Sequence, residues 1–392
     1  MEYRCISADC HIDLWWLPHD LFVSNASNAM KDRMPYVTQG SDGPIWVTKS
    51  GLNLGLASGN GVSATHVERR YVPGLATRVD RMASTGLYAD GAKNIFRPTT
   101  PELRLQDQER DGIQAEVMYG LHNAGSKMTD REATIEFYRI YNDWLSDFCN
   151  YDRKRFVGLA SIPSQSVEAA EAEARRVAKI GGVGGLDFLA RWDMVPLWDS
   201  YWDPFWRAAA EANLPVHFHA IAASSAPVAP VPIRDDLPDS LKKAHIATRM
   251  AGTTLRMAPI LAAVIHGGAL ERYPGLRVVF AESGIGWIPY VLDRMDYEYE
   301  DQFKGRIPLK MKPSDYWRRQ CRSTFQYDTI GVMLLDTLGV ETVMWASDYP
   351  HPDGVFPDSQ EYIKRQFSHL PSATQRKITC ENAGKLYGLI PS

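Results

Sequence analysis

Short apolar segments alternate with helical patterns along this 392-residue chain, and the alternation constrains the fold more than any other feature. Each run has the length of a buried strand, and amphipathic helical segments stand between the runs. Such alternation predicts a parallel sheet, and eight units predict a closed (β/α)8 barrel. The predicted strands are Arg4–Ala8, Ala115–Tyr119, Phe156–Ile162, Gly184–Phe188, Pro215–Phe218, Leu276–Ala281, Cys321–Gln326 and Thr342–Ala346.

The length is compatible with a single barrel domain over residues 1–392, because barrels with insertions often exceed ~250 residues. Two regions interrupt the alternation. Residues from about 20 to 100 are rich in Gly, Ser and Asn and predict an insertion over the barrel mouth. Residues from about 221 to 252 are rich in Pro and Ala and predict a long loop after the fifth strand. Loops at this end of a barrel usually shape the substrate site.

Composition limits the classes of partner. The formal net charge is −4, with no long runs of one sign, which argues against nucleic-acid and anionic-membrane surfaces. The five cysteines form no CxxC pair, which is typical of reduced thiols in a cytoplasmic protein. The sequence shows neither a signal-peptide pattern nor an apolar run of ~18 residues. We therefore expect a cytoplasmic protein without membrane or nucleic-acid partners.

Two pairs of polar residues sit at predicted strand ends. Asp9 and His11 follow the first strand, and a spacing of two residues in extended chain points both side chains to one side. A carboxylate and an imidazole so placed can clamp a metal ion. His217 and His219 repeat this spacing in an otherwise apolar strand. Metal ligation is favoured for His219, whereas for His217 a histidine satisfied by backbone carbonyls is an equal alternative.

Further candidates lie on later strands. Glu282 ends the most apolar strand and therefore requires a partner, and Asp348 lies just past the last strand. His351 follows Asp348 and is a candidate for a role beside the metal, for a proton shuttle, or for an ordinary loop residue. His266 lies among apolar neighbours on a helix, where a core histidine is favoured over a metal ligand.

Ordered motifs from end to end resemble the amidohydrolase-related family of TIM barrels, which includes aminocarboxymuconate-semialdehyde and resorcylate-type decarboxylases. The motifs are ADCHIDL, RLQDQERDGIQAEVMYG, LPVHFH, ALERYPGLRVVFAESG, WASDYP and ENAGKLYGL. The resemblance implies a distorted (β/α)8 barrel with metal ligands at Asp9, His11, His219 and Asp348. In the decarboxylases of this family the sixth strand ends in a histidine that acts at the metal. Glu282 occupies that position here.

This departure favours iron chemistry. Mixed carboxylate and imidazole ligands are typical of non-haem iron centres, and the chain resembles a branch of TIM-barrel non-haem di-iron monooxygenases that includes a diterpenoid hydroxylase. The resemblance implies two iron ions on Asp9, His11, His219, Glu282, Asp348 and His266. It also implies a diterpenoid or CoA-linked small-molecule substrate, an external electron donor and a homodimer. Trp15, Trp16 and Trp287 are candidates to wall an apolar pocket.

Two rival hypotheses remain open from the residues alone. The first is a mononuclear zinc or manganese hydrolase or decarboxylase, in which Asp348, His217 or His351 would serve as the base. The second is a barrel that binds a ligand without catalysis, which the clustered acids and histidines disfavour because unpaired buried ionisable groups destabilise a fold.

Overall fold

The computed structural model describes residues 2–41, 43–57, 78–191, 193–220, 236–352 and 354–391. Its strands are β1 (Ile6–His11), β2 (Tyr36–Gly40), β3 (Gly43–Val47), β4 (Asn53–Leu56), β5 (Ala115–Tyr119), β6 (Phe156–Ile162), β7 (Val183–Phe188), β8 (Val216–His219), β9 (Val278–Ala281), β10 (Cys321–Phe325) and β11 (Val343–Trp345).

Eight of these strands form one parallel sheet in the order β1-β5-β6-β7-β8-β9-β10-β11. The last strand returns to the first through the bridge between Cys10 and Tyr349, which nearly closes the sheet into a barrel. Two backbone hydrogen bonds secure this closure, from His11 N to Tyr349 O at 2.7 Å and from Asp348 N to Asp9 O at 2.9 Å. The predicted (β/α)8 barrel is confirmed.

Helices surround the barrel. They are α1 (Leu21–Asn25), α2 (Arg78–Ser84), α3 (Leu87–Gly91), α4 (Pro101–Asp111), α5 (His122–Lys127), α6 (Arg131–Asn150), α7 (Val167–Val177), α8 (Asp203–Ala212), α9 (Asp239–Thr253), α10 (Met257–His266), α11 (Ala269–Arg272), α12 (Ile288–Glu298), α13 (Pro313–Gln320), α14 (Thr329–Met333), α15 (Leu335–Leu338), α16 (Ser359–Phe367), α17 (Ser372–Arg376) and α18 (Asn382–Leu386). A π-helical turn, Lys377–Glu381, joins the last two helices.

The first barrel strand extends further than the sequence predicts. It runs from Ile6 to His11, so Asp9 and His11 lie within it rather than after it. The strand is fully buried and pairs with β5 up to the register His11–Tyr119. Because β1 has hydrogen-bonded neighbours on both sides, the strand continues through Asp9 and His11. A prediction based on apolar residues alone ends the strand before them.

The two predicted interruptions are only partly visible. Within residues 20–100, β2, β3 and β4 form a separate antiparallel sheet, and the described helices include α1, α2 and α3. Residues 58–77 lie outside the described part of the chain. Of the second interruption, residues 221–235 also lie outside it. The remainder is mostly helix α9, not the loop that the composition predicts.

Candidate metal centre

Polar side chains from the barrel meet where the parallel strands end. Asp9 and His11 come from β1, His219 ends β8, Glu282 directly follows β9, and Asp348 lies shortly after β11. Because all eight strands are parallel, these positions share one edge of the barrel, the C-terminal mouth, where barrel enzymes carry their active sites.

Asp9, His11 and His219 each offer one donor atom, and these atoms lie within 4.8 Å of one another. The Nε2 atoms of His11 and His219 are 3.2 Å apart. Asp9 Oδ1 lies 3.4 Å from His11 Nε2 and 3.7 Å from His219 Nε2. All three side chains are buried. Two imidazole nitrogens and one carboxylate oxygen therefore face a common point inside the protein.

Asp348 and Glu282 extend this triad on different sides. Asp348 Oδ1 lies 3.3 Å from His11 Nε2, and Glu282 Oε2 lies 3.4 Å from His219 Nε2. Both residues have a positive φ, 58° for Asp348 and 47° for Glu282. Left-handed backbone is costly for a glutamate, and such strain concentrates at functional sites. The fold thus holds both carboxylates against the triad at the cost of backbone strain.

The second oxygen of Asp9 is fixed by its neighbours. Asp9 Oδ2 accepts hydrogen bonds from Thr324 Oγ1 at 2.7 Å and from the backbone N–H of Glu282 at 3.0 Å. Glu282 N also approaches Thr324 Oγ1 at 2.8 Å. These contacts orient the carboxylate so that Oδ1 faces the two histidines. Holding a ligand in this way is typical of the surroundings of metal sites.

The donor set fits a divalent cation. Ligand atoms bound to one ion at about 2.1 Å lie roughly 3.0–3.4 Å apart, close to the separations found here. Asp9 Oδ1 and both oxygens of Asp348 are buried and accept no well-formed hydrogen bond among the described residues. Buried carboxylate oxygens require a positive partner. A cation among Asp9, His11, His219 and Asp348 would supply it.

The electrostatics favour positive charge at the mouth. Burial alone would raise the pKa of Asp9, but the imidazoles of His11 and His219 outweigh it and lower that pKa. Burial and the His351 charge would lower the pKa of His11, but the carboxylates of Asp348 and Asp9 raise it to about 9. The fold thus keeps the carboxylates of Asp9 and Asp348 ionised and favours a cation beside them.

His351 joins the site through two carboxylates. Its Nε2 lies 2.8 Å from Asp13 Oδ2, its Nδ1 lies 3.1 Å from Asp348 Oδ1, and its ring stacks on that of His11 with centroids 4.0 Å apart. Burial lowers the pKa of His351, but the charges of Asp348 and Asp13 raise it well above its usual value. His351 is thus a buried cationic bridge beside the ligands. Asp13 follows the DxH pair by two residues, and this repeat of the spacing could have revealed it.

His217 lies deeper in the barrel than His219. Its Nδ1 is 2.7 Å from the hydroxyl of Tyr119, and its ring stacks on that of Tyr387. The Tyr119 ring also contacts His219, with centroids 5.1 Å apart. His217 therefore supports the site from behind Tyr119, which the sequence analysis missed because a tyrosine at a strand end carries no distinctive signal.

A buried ion pair holds β1 in place from outside the barrel. Arg104 Nε donates to Glu116 Oε2 at 2.6 Å, and its Nη1 donates to the carbonyl of His11 at 3.0 Å. The guanidinium also lies over the ring of Tyr349, 4.9 Å from its centroid. Arg104 thereby ties the chain at His11 to the segment that follows Asp348, so the two segments that carry candidate ligands keep their spacing.

His266 is placed elsewhere. It ends α10, is half-buried, and lines a surface cavity of about 570 Å³ with Trp198 and Pro308. Burial lowers its pKa. His266 is not among the groups of donor atoms that the described residues bring together. Of the aromatic side chains predicted to wall a pocket, Trp16 is buried, and Trp15 and Trp287 are half-buried.

The sequence model of the amidohydrolase family matches residues 8–389. The chain belongs to this family. A gamma-resorcylate decarboxylase from Rhodococcus jostii (strain RHA1) is 27% identical over 309 residues, which cover 74% of this chain and 87% of the relative.

Solved structures of family members share the fold. An amidohydrolase from Mycobacterium avium subsp. paratuberculosis K-10 has a TM-score of 0.71 at 19% identity, covering 100% of this chain and 99% of that one. A 5-carboxyvanillate decarboxylase from Novosphingobium aromaticivorans DSM 12444, complexed with manganese, has a TM-score of 0.66 at 18% identity, covering 98% and 96%.

The comparisons correct the predicted chemistry. The di-iron monooxygenase and its two iron ions are wrong, because the relatives are decarboxylases and related solved structures hold manganese. Neither the relatives nor the solved structures point to a diterpenoid or CoA-linked substrate or to an electron donor. The error came from counting carboxylates along the sequence, because Glu282 belongs to neither of the groups of donor atoms that the described residues bring together, Asp9–His11–His219 and His11–Asp348–His351. The rival hypothesis of a mononuclear manganese decarboxylase is the better supported. The homodimer stays a prediction.

No helix in the described part of the chain is both long and apolar enough to cross a bilayer.

Proposed function

We propose that this chain is a metal-dependent decarboxylase that uses one divalent cation, manganese in the first place, to release CO2 from a small hydroxybenzoate-type acid. The observation that carries the proposal is the convergence of Asp9 Oδ1, His11 Nε2 and His219 Nε2 at 3.2–3.7 Å from one another. The relatives support the reaction, since the gamma-resorcylate and aminocarboxymuconate-semialdehyde enzymes are decarboxylases.

Asp9, His11, His219 and Asp348 would hold the cation. Their donor atoms are buried, and Thr324 with the backbone of Glu282 fixes the orientation of Asp9. A bound divalent cation would supply Lewis-acid polarisation of substrate oxygen atoms. His351 would stay protonated between Asp13 and Asp348, and so would offset the negative charge of the carboxylates around the ligands.

Decarboxylation needs a proton at the carbon that loses CO2, because the C–C bonding pair must end in a C–H bond. We assign this proton to Glu282, which revises its expected role as a ligand. Its Oε2 is 3.4 Å from His219 Nε2, and its side chain keeps 12% exposure where those of Asp9 and Asp348 have none. Glu282 therefore stands between the ligands and the mouth, where substrate would enter. It also occupies the position at which the decarboxylases that the chain resembles carry a histidine.

The proposal is tested by CO2 release from 2,6-dihydroxybenzoate and 5-carboxyvanillate by protein loaded with Mn²⁺. We expect turnover of at least one of the two acids, dependent on about one metal ion per chain. Hydrolysis of aryl esters or lactones by the loaded protein, without CO2 release from either acid, would contradict the proposal and support a hydrolase.

Glu282→Gln separates catalysis from metal binding. Glutamine keeps the shape of the side chain and the backbone N–H that donates to Asp9. Its amide cannot act as the acid that delivers a proton to carbon. We expect CO2 release to fall by about 10²–10⁴-fold, with Mn²⁺ affinity changed by less than ~10-fold. Glu282→His is the matched variant, and it should recover part of the rate. Equal loss of metal and rate in Glu282→Gln would show that Glu282 is a ligand instead.

A further inference from the structure

A cavity of about 530 Å³ lies at the end of the barrel opposite the metal centre. It is lined by Arg277, which immediately precedes β9, and by Arg322, the second residue of β10. The C-terminal helical segment adds Lys377, Glu381 and Lys385 along one face. Because parallel strands all begin at the same edge, these positions mark the N-terminal face. We call this space the N-terminal cavity.

Its lining has an excess of positive charge. The lining carries two carboxylates, Glu341 and Glu381, and four cationic side chains, Arg277, Arg322, Lys377 and Lys385. Both carboxylates already have cationic partners, since Lys377 Nζ lies 2.6 Å from Glu341 Oε1 and Arg376 Nε lies 2.8 Å from Glu381 Oε1. No carboxylate of the described residues lies within ion-pair distance of Arg277, Arg322 or Lys385. Among the residues that the structure describes, these three cations of the lining thus form no ion pair.

Backbone carbonyls accept hydrogen bonds from only some of the N–H donors of the two guanidinium groups. Arg322 Nη1 donates to the carbonyl of Cys321 at 2.7 Å, and Arg277 Nη1 donates to the carbonyls of Pro274 and Leu276 at 3.1 and 3.2 Å. A guanidinium has five N–H donors in a planar fork. Among the described residues, Nε and Nη2 of both arginines therefore have no hydrogen-bond acceptor.

Arg322 is half-buried, which makes this arrangement costly. Burial first, and then the charge of Arg277, lower the pKa of its guanidinium despite the nearby Glu341. Buried arginines are rare unless they are paired, because desolvation of a charge must be offset by a partner. The chain thus offers side chains that would pair with an anion.

We propose that the N-terminal cavity binds a phosphate dianion, either inorganic phosphate or the phosphate group of a small ester, through Arg277, Arg322 and Lys385. Planar guanidinium forks match the oxygen spacing of phosphate, and two of them with an ammonium group offset a charge of −2. The cavity is larger than one phosphate ion, so it has room for an ester substituent. This site is independent of the decarboxylase proposal because it shares no residue with the metal centre.

Calorimetric titration with inorganic phosphate, against sodium chloride at equal ionic strength, tests this site. We expect saturable binding to the wild-type protein and a rise in its thermal midpoint of about 2–5 °C at saturation. Arg322→Gln should abolish both, and Lys385→Gln should weaken binding by about 10-fold. Lys385 provides the second test because its substitution at the rim is compatible with folding.

Two controls make the result specific. Arg318→Gln removes an exposed arginine outside the cavity that, like Arg277, donates to a backbone carbonyl, and it should bind phosphate as the wild type does. His219→Ala weakens the metal centre. If this variant still binds phosphate as the wild type does, the phosphate is not held by the metal. Absence of saturable binding to the wild type, an equal effect in Arg318→Gln, or loss of binding in His219→Ala would overturn the proposal.

Discussion

Asp9 and Asp111 are both buried carboxylates, but their surroundings differ. Asp9 lies at the C-terminal mouth, where the imidazoles of His11 and His219 lower its pKa despite burial. Asp111 ends α4, shortly before β5 begins, and burial raises its pKa to about 7 although Ser359 donates two hydrogen bonds to it. Burial has the same sign at both positions. The difference lies in the partners, because imidazoles face Asp9 whereas a hydroxyl and a backbone N–H of Ser359 face Asp111.

The comparison extends to the cations. The imidazoles at the mouth face ionised carboxylates, while Arg277 and Arg322 at the N-terminal face have backbone carbonyls and no carboxylate partner in the described part of the chain. Each end thus carries charge that a ligand of opposite sign would compensate. The mouth suits a divalent cation, and the N-terminal cavity suits an anion.

The largest expected effect is at the mouth. His219→Ala removes one of three converging donors and leaves Asp9 Oδ1 with a single imidazole nearby, so Mn²⁺ affinity should fall by more than ~100-fold. CO2 release should be lost with the metal. Elemental analysis and titration of Mn²⁺ followed by electron paramagnetic resonance measure this. His369→Ala, at a surface position away from the cluster, is the control and should keep full metal content. A His219→Ala protein with wild-type metal content would refute the ligand assignment.

Thr324→Val tests a residue that orients the proposed ligand Asp9 and does not itself bind the metal. Valine keeps the volume but removes the hydroxyl that donates to Asp9 Oδ2 at 2.7 Å, leaving the backbone N–H of Glu282 as its donor. We expect Mn²⁺ affinity to fall by about 10–100-fold. Thr324→Ser, which restores the hydroxyl, should recover most of the affinity. If valine and serine behave alike, the hydroxyl does not orient Asp9.

The sequence predicts the barrel and the ligand-bearing strands, because apolar runs and the DxH and HxH spacings are local patterns. It does not reveal Thr324, which meets Asp9 from 315 positions away in the chain. Nor does it reveal that Glu282 and Asp348 adopt left-handed backbone. Charge counted along the chain suggested two metal ions, but the distances group the donors differently. Local patterns therefore identify candidates, and only tertiary geometry shows which of them act together.

Asp111 offers a test through the pH dependence of stability. Its folded pKa of about 7 lies above the value of about 3.9 expected in an unfolded chain, so the unfolded state loses its proton first as pH rises. Stability contributed by this group is therefore full below about pH 4 and is lost as pH rises towards 7. Asp111→Asn avoids the loss, so its stability relative to wild type should be about 3 kcal/mol higher at pH 8 than at pH 4.5.

Urea denaturation at both pH values measures this effect, and Asp336→Asn on short helix α15 is the control for removal of one negative charge. A constant difference between Asp111→Asn and wild type at pH 4.5 and pH 8 would show that the Asp111 carboxyl does not titrate in this range.

The smallest effect is expected at Arg322. The comparison of the two barrel ends predicts that substitution of Arg322 raises stability rather than lowering it. Arg322→Met removes a half-buried charge that forms no ion pair with a carboxylate of the described residues, and the methionine fills the space with an apolar side chain. In phosphate-free buffer we expect the free energy of unfolding to rise by about 1 kcal/mol. Arg104→Met, which breaks a buried pair with Glu116, should instead lower it by about 3–5 kcal/mol. Urea denaturation distinguishes these outcomes. A loss of stability in Arg322→Met would mean that its bond to the Cys321 carbonyl outweighs desolvation, and that this end of the barrel needs no anion to balance its charge.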